Sequence, residues 1–248
     1  MPIKGPPRQA IWPYVRRSLL LLTGIFGGLF VSQQDCVYHL FGRYVSLLSF
    51  FHLSECLTIA VVNPRSLKTD SFLLNHSPEY HLAALCSLVE FALEVYFFPA
   101  FKSYLSSISN FGLFLALSGE FVRKLAMITA GTNFSHKVEF RKQKGHVLIT
   151  HGVYSLWRHP SYLGWFVWSI GTQVVLVNPV CLIGYTIASY YFFKTRIQEE
   201  EGILIEFFGD EYRDYMRKVP PGIPFLGLDE SQITVVREHV QEDQRQDM

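Results

Sequence analysis

The sequence predicts an all-α protein, a polytopic integral membrane helix bundle of six to eight spans. A site at the cytosolic edge is expected on a helix hairpin late in the chain. Three observations predict this. The 248 residues are 49% hydrophobic, 15% aromatic and only 17% charged, where a soluble domain carries about 25% charged residues; mean hydropathy is +0.19. Six apolar stretches are long enough to cross a bilayer, which takes about 20 residues. Basic residues fall mainly on one side of those stretches.

The stretches lie near 12–33, 37–62, 82–101, 108–129, 160–177 and 179–196. The opening MPIKGPPRQAIWPYVRR is positively charged, but no small-residue cleavage pattern follows, so the first apolar run is expected to stay as a helix. The first two runs can be cut in more than one way, which sets the upper limit of eight. Arg43, His52 and Glu55 interrupt the second run, and Glu90 and Glu94 the third. Ionisable groups at membrane depth are costly, so these are expected to face the bundle interior or a wet cavity, or to pair with one another.

Charge placement sets the topology. With the N-terminus inside, one face collects Lys4, Arg8, Arg16, Arg17, Arg65, Lys68, Arg123, Lys124, the basic residues of 137–144, Arg158, Lys194 and Arg196. The other receives little beyond Lys102. That asymmetry predicts an even number of spans and both termini in the cytosol.

Between the last two runs stands Asn178-Pro179, a turn-favouring pair. Few residues remain for a loop, so the two helices must form an antiparallel hairpin. Pro160 opens the first helix, where a missing N–H costs nothing. Tyr190, Tyr191, Phe192 and Phe193 mark an interface before polar residues begin at Lys194. Residues 132–150 read as a short hairpin or extended connector. Residues 203–218 carry Ile203, Leu204, Phe207, Phe208, Tyr212 and Tyr215 at the spacing of an amphipathic helix. The expected organisation is therefore 1–130 as N-terminal membrane helices, 131–225 as a catalytic region and 226–248 as a flexible cytosolic tail.

A net charge of +1 offers no basic field for nucleic acid. The four cysteines lie in or beside apolar runs with no C-x-x-C pair, so neither a disulfide frame nor a metal site is expected.

Two polar clusters lie at the cytosolic ends of the hairpin. One is Tyr154, Arg158, His159, Ser161 and Tyr162; the other is Arg196, Glu199, Glu200 and Glu201. Each residue also has a plain reading. Arg158 could be a headgroup anchor, His159 a cap before Pro160, the tyrosines interface aromatics, and the glutamates a solvated helix end. Convergence of both clusters on one membrane face favours a site. Arg196 and Glu200, four apart, share a helical face.

Gly152-Val153-Tyr154, Arg158-His159-Pro160-Ser161-Tyr162 and Gly164, followed by Glu200-Glu201, Leu204, Phe208-Gly209, Tyr212 and Tyr215, resemble the isoprenylcysteine carboxyl methyltransferase family. Trp168 to Gln173 and Asn178-Pro179 match too, and the resemblance is clearest over residues 130–225. It implies an endoplasmic reticulum membrane enzyme that uses S-adenosyl-L-methionine, releasing S-adenosyl-L-homocysteine. The implied product is the methyl ester of a C-terminal prenylated cysteine in CaaX-processed proteins such as small GTPases. It further implies that Glu139, His146, Val147, Leu148, Ile149, Tyr154, His159, Pro160, Ser161, Tyr162 and Glu200 hold the cofactor, and that Arg196 is both catalytic and at the substrate. R-H-P-x-Y-x-G alone is shared with phospholipid N-methyltransferases and NADPH-dependent membrane sterol reductases, which stand as alternatives. A non-catalytic membrane protein is the third reading. No G-x-G-x-x-G follows a strand pattern, so a soluble dinucleotide-type methyltransferase domain is not expected.

Methyl transfer to a carboxylate suits these residues. An α-carboxyl titrates near about 3.5, so the nucleophile is already ionised and needs no strong base. The work is approximation and orientation, worth about 7–11 kcal/mol. Arg196 could grip the carboxylate with a planar fork that lysine cannot reproduce.

Overall fold

A computed structural model describes residues 8–142 and 145–226. Among these residues every regular element is helical: α1 Arg8–Ser32, α2 His39–Val62, α3 Pro78–Phe97, the short α4 Pro99–Tyr104, α5 Ile108–Ala130, α6 Pro160–Leu176, α7 Pro179–Phe208 and α8 Asp210–Lys218, with brief 3₁₀ turns between. Five of the six expected apolar runs each become one long helix; the run near 82–101 is broken at Phe98, where α3 ends and α4 begins.

Starts follow the local chemistry. Pro stands at the first position of α3, α4, α6 and α7, where its fixed φ is pre-organised and no N–H is lost. Ser77 caps α3, its hydroxyl accepting from the Tyr80 N–H at 3.2 Å. By length and composition, α1 (Ile11–Ser32), α2 and α3 are long and apolar enough to cross a bilayer. The other three expected spans fall short of that measure. Glu120, Arg123 and Lys124 lie inside α5, and α6 has 17 residues. Thr186, Ser189 and three tyrosines dilute the first half of α7.

Two sequence expectations change. The connector over 132–150 contains no strand among its described residues, only a 3₁₀ turn at Gly131–Asn133 and irregular chain. Charged residues alternate there with too few apolar ones to bury a face. The helix expected over 203–218 is divided: α7 runs on to Phe208, Gly209 takes φ 57°, and α8 starts afresh. A positive φ ends a right-handed helix, and glycine adopts it without a Cβ penalty. The expected tail falls almost wholly outside the described residues, as do Lys4 and Lys144.

The chain divides into two compact units. One contains the described residues up to Ala116 together with Gly171–Leu182; the other contains Leu117–Ile170 and the described chain from Ile183 onward.

In the first unit α1 and α2 pack through small residues. A Cβ on Gly28 would lie 2.5 Å from the Gly42 carbonyl oxygen, a close backbone approach of the kind membrane helices use. The Ser46 hydroxyl donates to the Ile25 carbonyl at 3.0 Å. Leu21, Leu53, Cys56 and Phe72 form the apolar core beside them. His52, one of the intramembrane ionisable residues, is buried with Nδ1 on the Phe72 carbonyl at 2.8 Å and Nε2 at 3.0 Å from the Tyr80 hydroxyl. Arg43 donates to Asn110 Oδ1 at 3.0 Å.

The same unit holds the turn between α6 and α7. Val177, with φ 57°, ends α6 in the left-handed region, which a β-branched residue rarely enters. Lys102, which the charge pattern left alone on the far face, is fully buried at this turn. Its ammonium donates to the carbonyls of Leu176 (2.5 Å) and Val177 (2.9 Å) and to Asn178 Oδ1 (2.8 Å), and pairs with Glu94 at 2.6 Å. Glu90 accepts from the Val180 and Cys181 N–H groups at 2.7 and 2.6 Å. A cation thus meets the C-terminus of one helix and an anion the N-terminus of the next, as helix dipoles favour.

Candidate active site

The second unit brings the two polar clusters together. His159 is the residue before Pro160, and its carbonyl accepts the Tyr162 and Leu163 N–H groups at 3.1 Å each. This first turn of α6 aims Tyr162 across at α7, where its hydroxyl donates to Glu200 Oε2 at 2.6 Å. The His159 and Tyr162 rings stack, with centroids 5.7 Å apart and planes 14° from parallel. Tyr162 also packs on Phe193 of α7. Farther along the pair, Phe166, Phe193 and Ile197 share a buried cluster, and the Ser169 and Ser189 hydroxyls meet at 3.2 Å. An antiparallel hairpin follows, as Asn178-Pro179 implied.

The Glu199-Glu200-Glu201 run splits three ways, because successive helical residues point about 100° apart. Glu199 stays partly exposed beside Arg196, at 3.8 Å. Glu200 takes the Tyr162 hydroxyl, and Glu201 is fully buried. Its Oε1 accepts from Arg158 Nε and Nη2, both at 2.7 Å, and lies 3.1 Å from His159 Nε2. Arg158 Nη1 donates to the Met216 carbonyl at 3.0 Å and to that of Val219. Arg158 is thus neither a headgroup anchor nor exposed; every terminal arm of its guanidinium is engaged inside the protein. Burial pushes the Glu201 carboxyl up, but the hydrogen bond and charge of His159, together with Arg158, outweigh that and hold it below its ordinary 4.5.

From α5 comes a side chain the sequence reading placed only by its charge. A Cβ on Gly119 would lie 2.5 Å from the Gly164 oxygen, and one on Gly164 would lie 2.6 Å from the Arg123 nitrogen. The close crossing lets Arg123, 2% exposed, reach Ser161 Oγ at 2.8 Å while its guanidinium covers the Trp165 ring at 4.6 Å. The available signal was a charged group, Glu120, Arg123 and Lys124, inside an otherwise apolar run.

The α8 helix closes the other side. Its exposed face carries Asp210, Glu211, Arg213 and Arg217, and its opposite face buries Tyr212 and Tyr215. The Tyr215 hydroxyl donates to the Tyr154 carbonyl at 2.5 Å. Burial pushes the Tyr215 hydroxyl up to about 12. Burial, and then the charge of Glu200, push that of Tyr154 higher still. Both phenols are neutral at cellular pH.

Tyr154, His159, Pro160, Ser161, Tyr162 and Glu200 therefore gather at one end of the hairpin. Arg196 sits there too, partly exposed and within electrostatic reach of the Tyr162 hydroxyl. The remaining expected residues make their described contacts within the connector and with the end of α7. Ser135 Oγ donates to Glu139 Oε1 at 3.1 Å; the Val147 N–H donates to Asn133 Oδ1 at 3.1 Å; and the His146 ring faces Phe207 at 6.3 Å. Leu148 and Ile149 are half-buried. Among the described residues no cluster of His, Cys, Asp and Glu could hold a metal ion.

Chemically, aromatic rings beside a carboxylate suit a cationic, ring-bearing ligand, and a partly exposed guanidinium next to them suits an anion. Neither requires a metal among the described groups.

Known proteins resemble this chain in sequence and in fold. Residues 112–206 match the sequence model of the isoprenylcysteine carboxyl methyltransferase (ICMT) family. A protein-S-isoprenylcysteine O-methyltransferase of Tribolium castaneum is 54% identical over 209 residues, covering 84% of this chain and 73% of the relative. The Homo sapiens protein of that name is 51% identical over 221 residues, covering 89% and 76%. A solved structure described as the eukaryotic intramembrane Ras methyltransferase ICMT superposes with a TM-score of 0.86 at 48% identity, covering 89% of this chain and 79% of that one. The chain is a multi-pass membrane protein and belongs to the isoprenylcysteine carboxyl methyltransferase family.

Proposed function

We propose that the protein methylates the C-terminal α-carboxylate of prenylated cysteine, with S-adenosyl-L-methionine as donor and Arg196 as the residue that receives the acceptor carboxylate. The observation that carries this reading is the 2.6 Å hydrogen bond from Tyr162 to Glu200, which joins the two halves of the motif at one end of the hairpin. The relatives above carry the O-methyltransferase name, which leaves the phospholipid N-methyltransferase and sterol reductase alternatives without support.

The donor set fits the cofactor. Glu200 offers a carboxylate to a cationic ligand, and the Tyr154 and Tyr162 rings offer π faces worth about 0.5–2 kcal/mol each toward a cation, with the His159 ring stacked beside Tyr162. Ser161, Pro160 and the 146–149 segment, with Glu139, complete the set proposed to hold adenosine and the amino-acid end. When bound, S-adenosyl-L-methionine supplies an electrophilic sulfonium methyl and leaves as S-adenosyl-L-homocysteine.

The protein's own residues orient and shield. Arg196 presents a fork to an acceptor carboxylate that is already ionised, so no side chain has to remove a proton. Burial holds the Tyr154 and Tyr215 phenols neutral, so neither competes as a nucleophile, and Tyr215 donates its hydroxyl to the Tyr154 carbonyl. The acid arrives from lipid and the donor from water, and a site at the end of the hairpin is accessible to both. We place this site on the cytosolic face of the endoplasmic reticulum membrane, both termini cytosolic, with prenylated CaaX proteins such as small GTPases as substrates.

The test is methylation of a farnesylcysteine analogue by the purified protein. Arg196→Ala should abolish turnover while S-adenosyl-L-homocysteine still binds. Near-normal turnover removes Arg196 from its role.

A further inference from the structure

The residues that follow α8 read Val219-Pro-Pro-Gly-Ile-Pro-Phe-Leu226 and lie beyond the 112–206 segment matched by the family model. Two consecutive prolines have no N–H to donate and hold an extended backbone whose carbonyls are free to accept. Both are used at the site. The Pro220 carbonyl accepts the Arg158 N–H at 2.9 Å, and the Pro221 carbonyl accepts the His159 N–H at 3.0 Å. The Val219 and Met216 carbonyls take the Arg158 guanidinium. Gly222 then turns the chain at φ 111°, against Trp157. Past the turn, Ile223 and Leu226 enter the buried cluster of Phe166, Phe193 and Ile197.

Four hydrogen bonds thus fix Arg158 and His159 from behind, while the other side of Arg158 is fixed by Glu201. This segment sets the backbone of His159 and the tilt of the ring that stacks on Tyr162. We infer that Val219–Leu226 is a positioning strap for the methyl-donor site, with Arg158 as its clasp, and that donor affinity depends on it. The inference rests on the reading of His159 and Tyr162 as donor-binding residues.

Two substitutions address it in the full-length protein. Arg158→Lys keeps a charge for Glu201 but cannot span Glu201 and two carbonyls at once. Gly222→Ala leaves every side chain of the site intact. Its new Cβ would meet Trp157 Cβ at 3.2 Å in a backbone conformation that L-residues rarely adopt, so the strap must shift. The measurements are S-adenosyl-L-homocysteine binding by calorimetry and initial rates with S-adenosyl-L-methionine and a farnesylcysteine analogue. With the strap displaced, the donor KM and the S-adenosyl-L-homocysteine Kd should rise about tenfold or more. The acceptor KM at saturating donor should stay within about twofold.

Simple loss of folded protein gives another signature: apparent kcat falls while both KM values and the Kd stay put. That pattern in both variants overturns the inference, and so does wild-type donor affinity in Gly222→Ala. Should Arg158→Lys fail to fold, Gly222→Ala decides alone. If the wild-type protein itself binds no S-adenosyl-L-homocysteine, the donor reading fails first and the strap falls with it.

Discussion

Replacing Glu201 tests the arrangement of charge at the hairpin end most directly. The carboxylate is fully buried and faces Arg158 through two contacts at 2.7 Å and His159 through one at 3.1 Å. Glu201→Ala leaves the Arg158 guanidinium, itself 7% exposed, without its anion. Breaking a buried pair by removing one partner costs about 3–5 kcal/mol. For a chain of this length that corresponds to a fall of the order of 10 °C in unfolding midpoint. Glu201→Gln keeps an acceptor oxygen for Arg158 and gives up only the charge-assisted part of each bond. Charged hydrogen bonds contribute about 1.5–3 kcal/mol and neutral ones about 0.5–1.5, a loss of about 1–1.5 per bond, so over three bonds Gln should cost about 3–4 kcal/mol, within the range expected for Ala.

The pH dependence follows from the same contacts. Pairing holds the Glu201 carboxyl below its ordinary 4.5 in the folded protein. Its stabilisation is therefore complete above the unfolded-state value and is lost as pH falls through the lower, folded-state value. The Gln variant should lack that acid limb. Thermal unfolding in detergent, followed by tryptophan fluorescence between pH 3 and 8, reads all three proteins. If Glu201→Ala unfolds within about 1 kcal/mol of wild type at neutral pH, the buried pair is not holding the site and the reasoning fails.

Other expectations follow from single contacts. Tyr162→Phe removes the 2.6 Å bond to Glu200 and should weaken S-adenosyl-L-homocysteine binding about tenfold, consistent with the loss of one charge-assisted bond; calorimetry giving an unchanged Kd would contradict it. Lys102→Met strips the C-terminus of α6 of its cation and strands Glu94. It should cost about 3–5 kcal/mol in the unfolding midpoint, whereas the double variant with Glu94→Gln should recover part of that loss.

Much of the fold was legible because apolar length and proline placement are local. Pro160, Pro179 and the Asn178 turn set the hairpin, and the helix starts match them. Helix ends were less legible. The last apolar run predicts a helix only to 196, with a separate amphipathic helix over 203–218, yet one helix runs unbroken from Pro179 to Phe208, and Gly209 ends it. The site's membership was legible from its residue types, but its internal division of labour was not. Nothing in a run of three glutamates says which one is buried. That depends on Arg158 and His159, more than 40 residues away in the chain, and on the carbonyls that occupy the rest of Arg158. Arg123 was hidden for a similar reason: its route to Ser161 exists only because Gly119 and Gly164 let two helices touch.

The lysine-sealed turn has a consequence for how this hairpin inhabits the lipid. A 17-residue α6 extends about 26 Å, less than the roughly 30 Å of hydrocarbon. An ordinary helix of that length would strand its last carbonyls in oil, where each costs several kcal/mol. Here Lys102 supplies the protons those carbonyls need, and Glu90 accepts the first N–H groups of α7. The tip carries its own substitute for water: the Leu176 and Val177 carbonyls and the Val180 and Cys181 N–H groups are all satisfied without solvent.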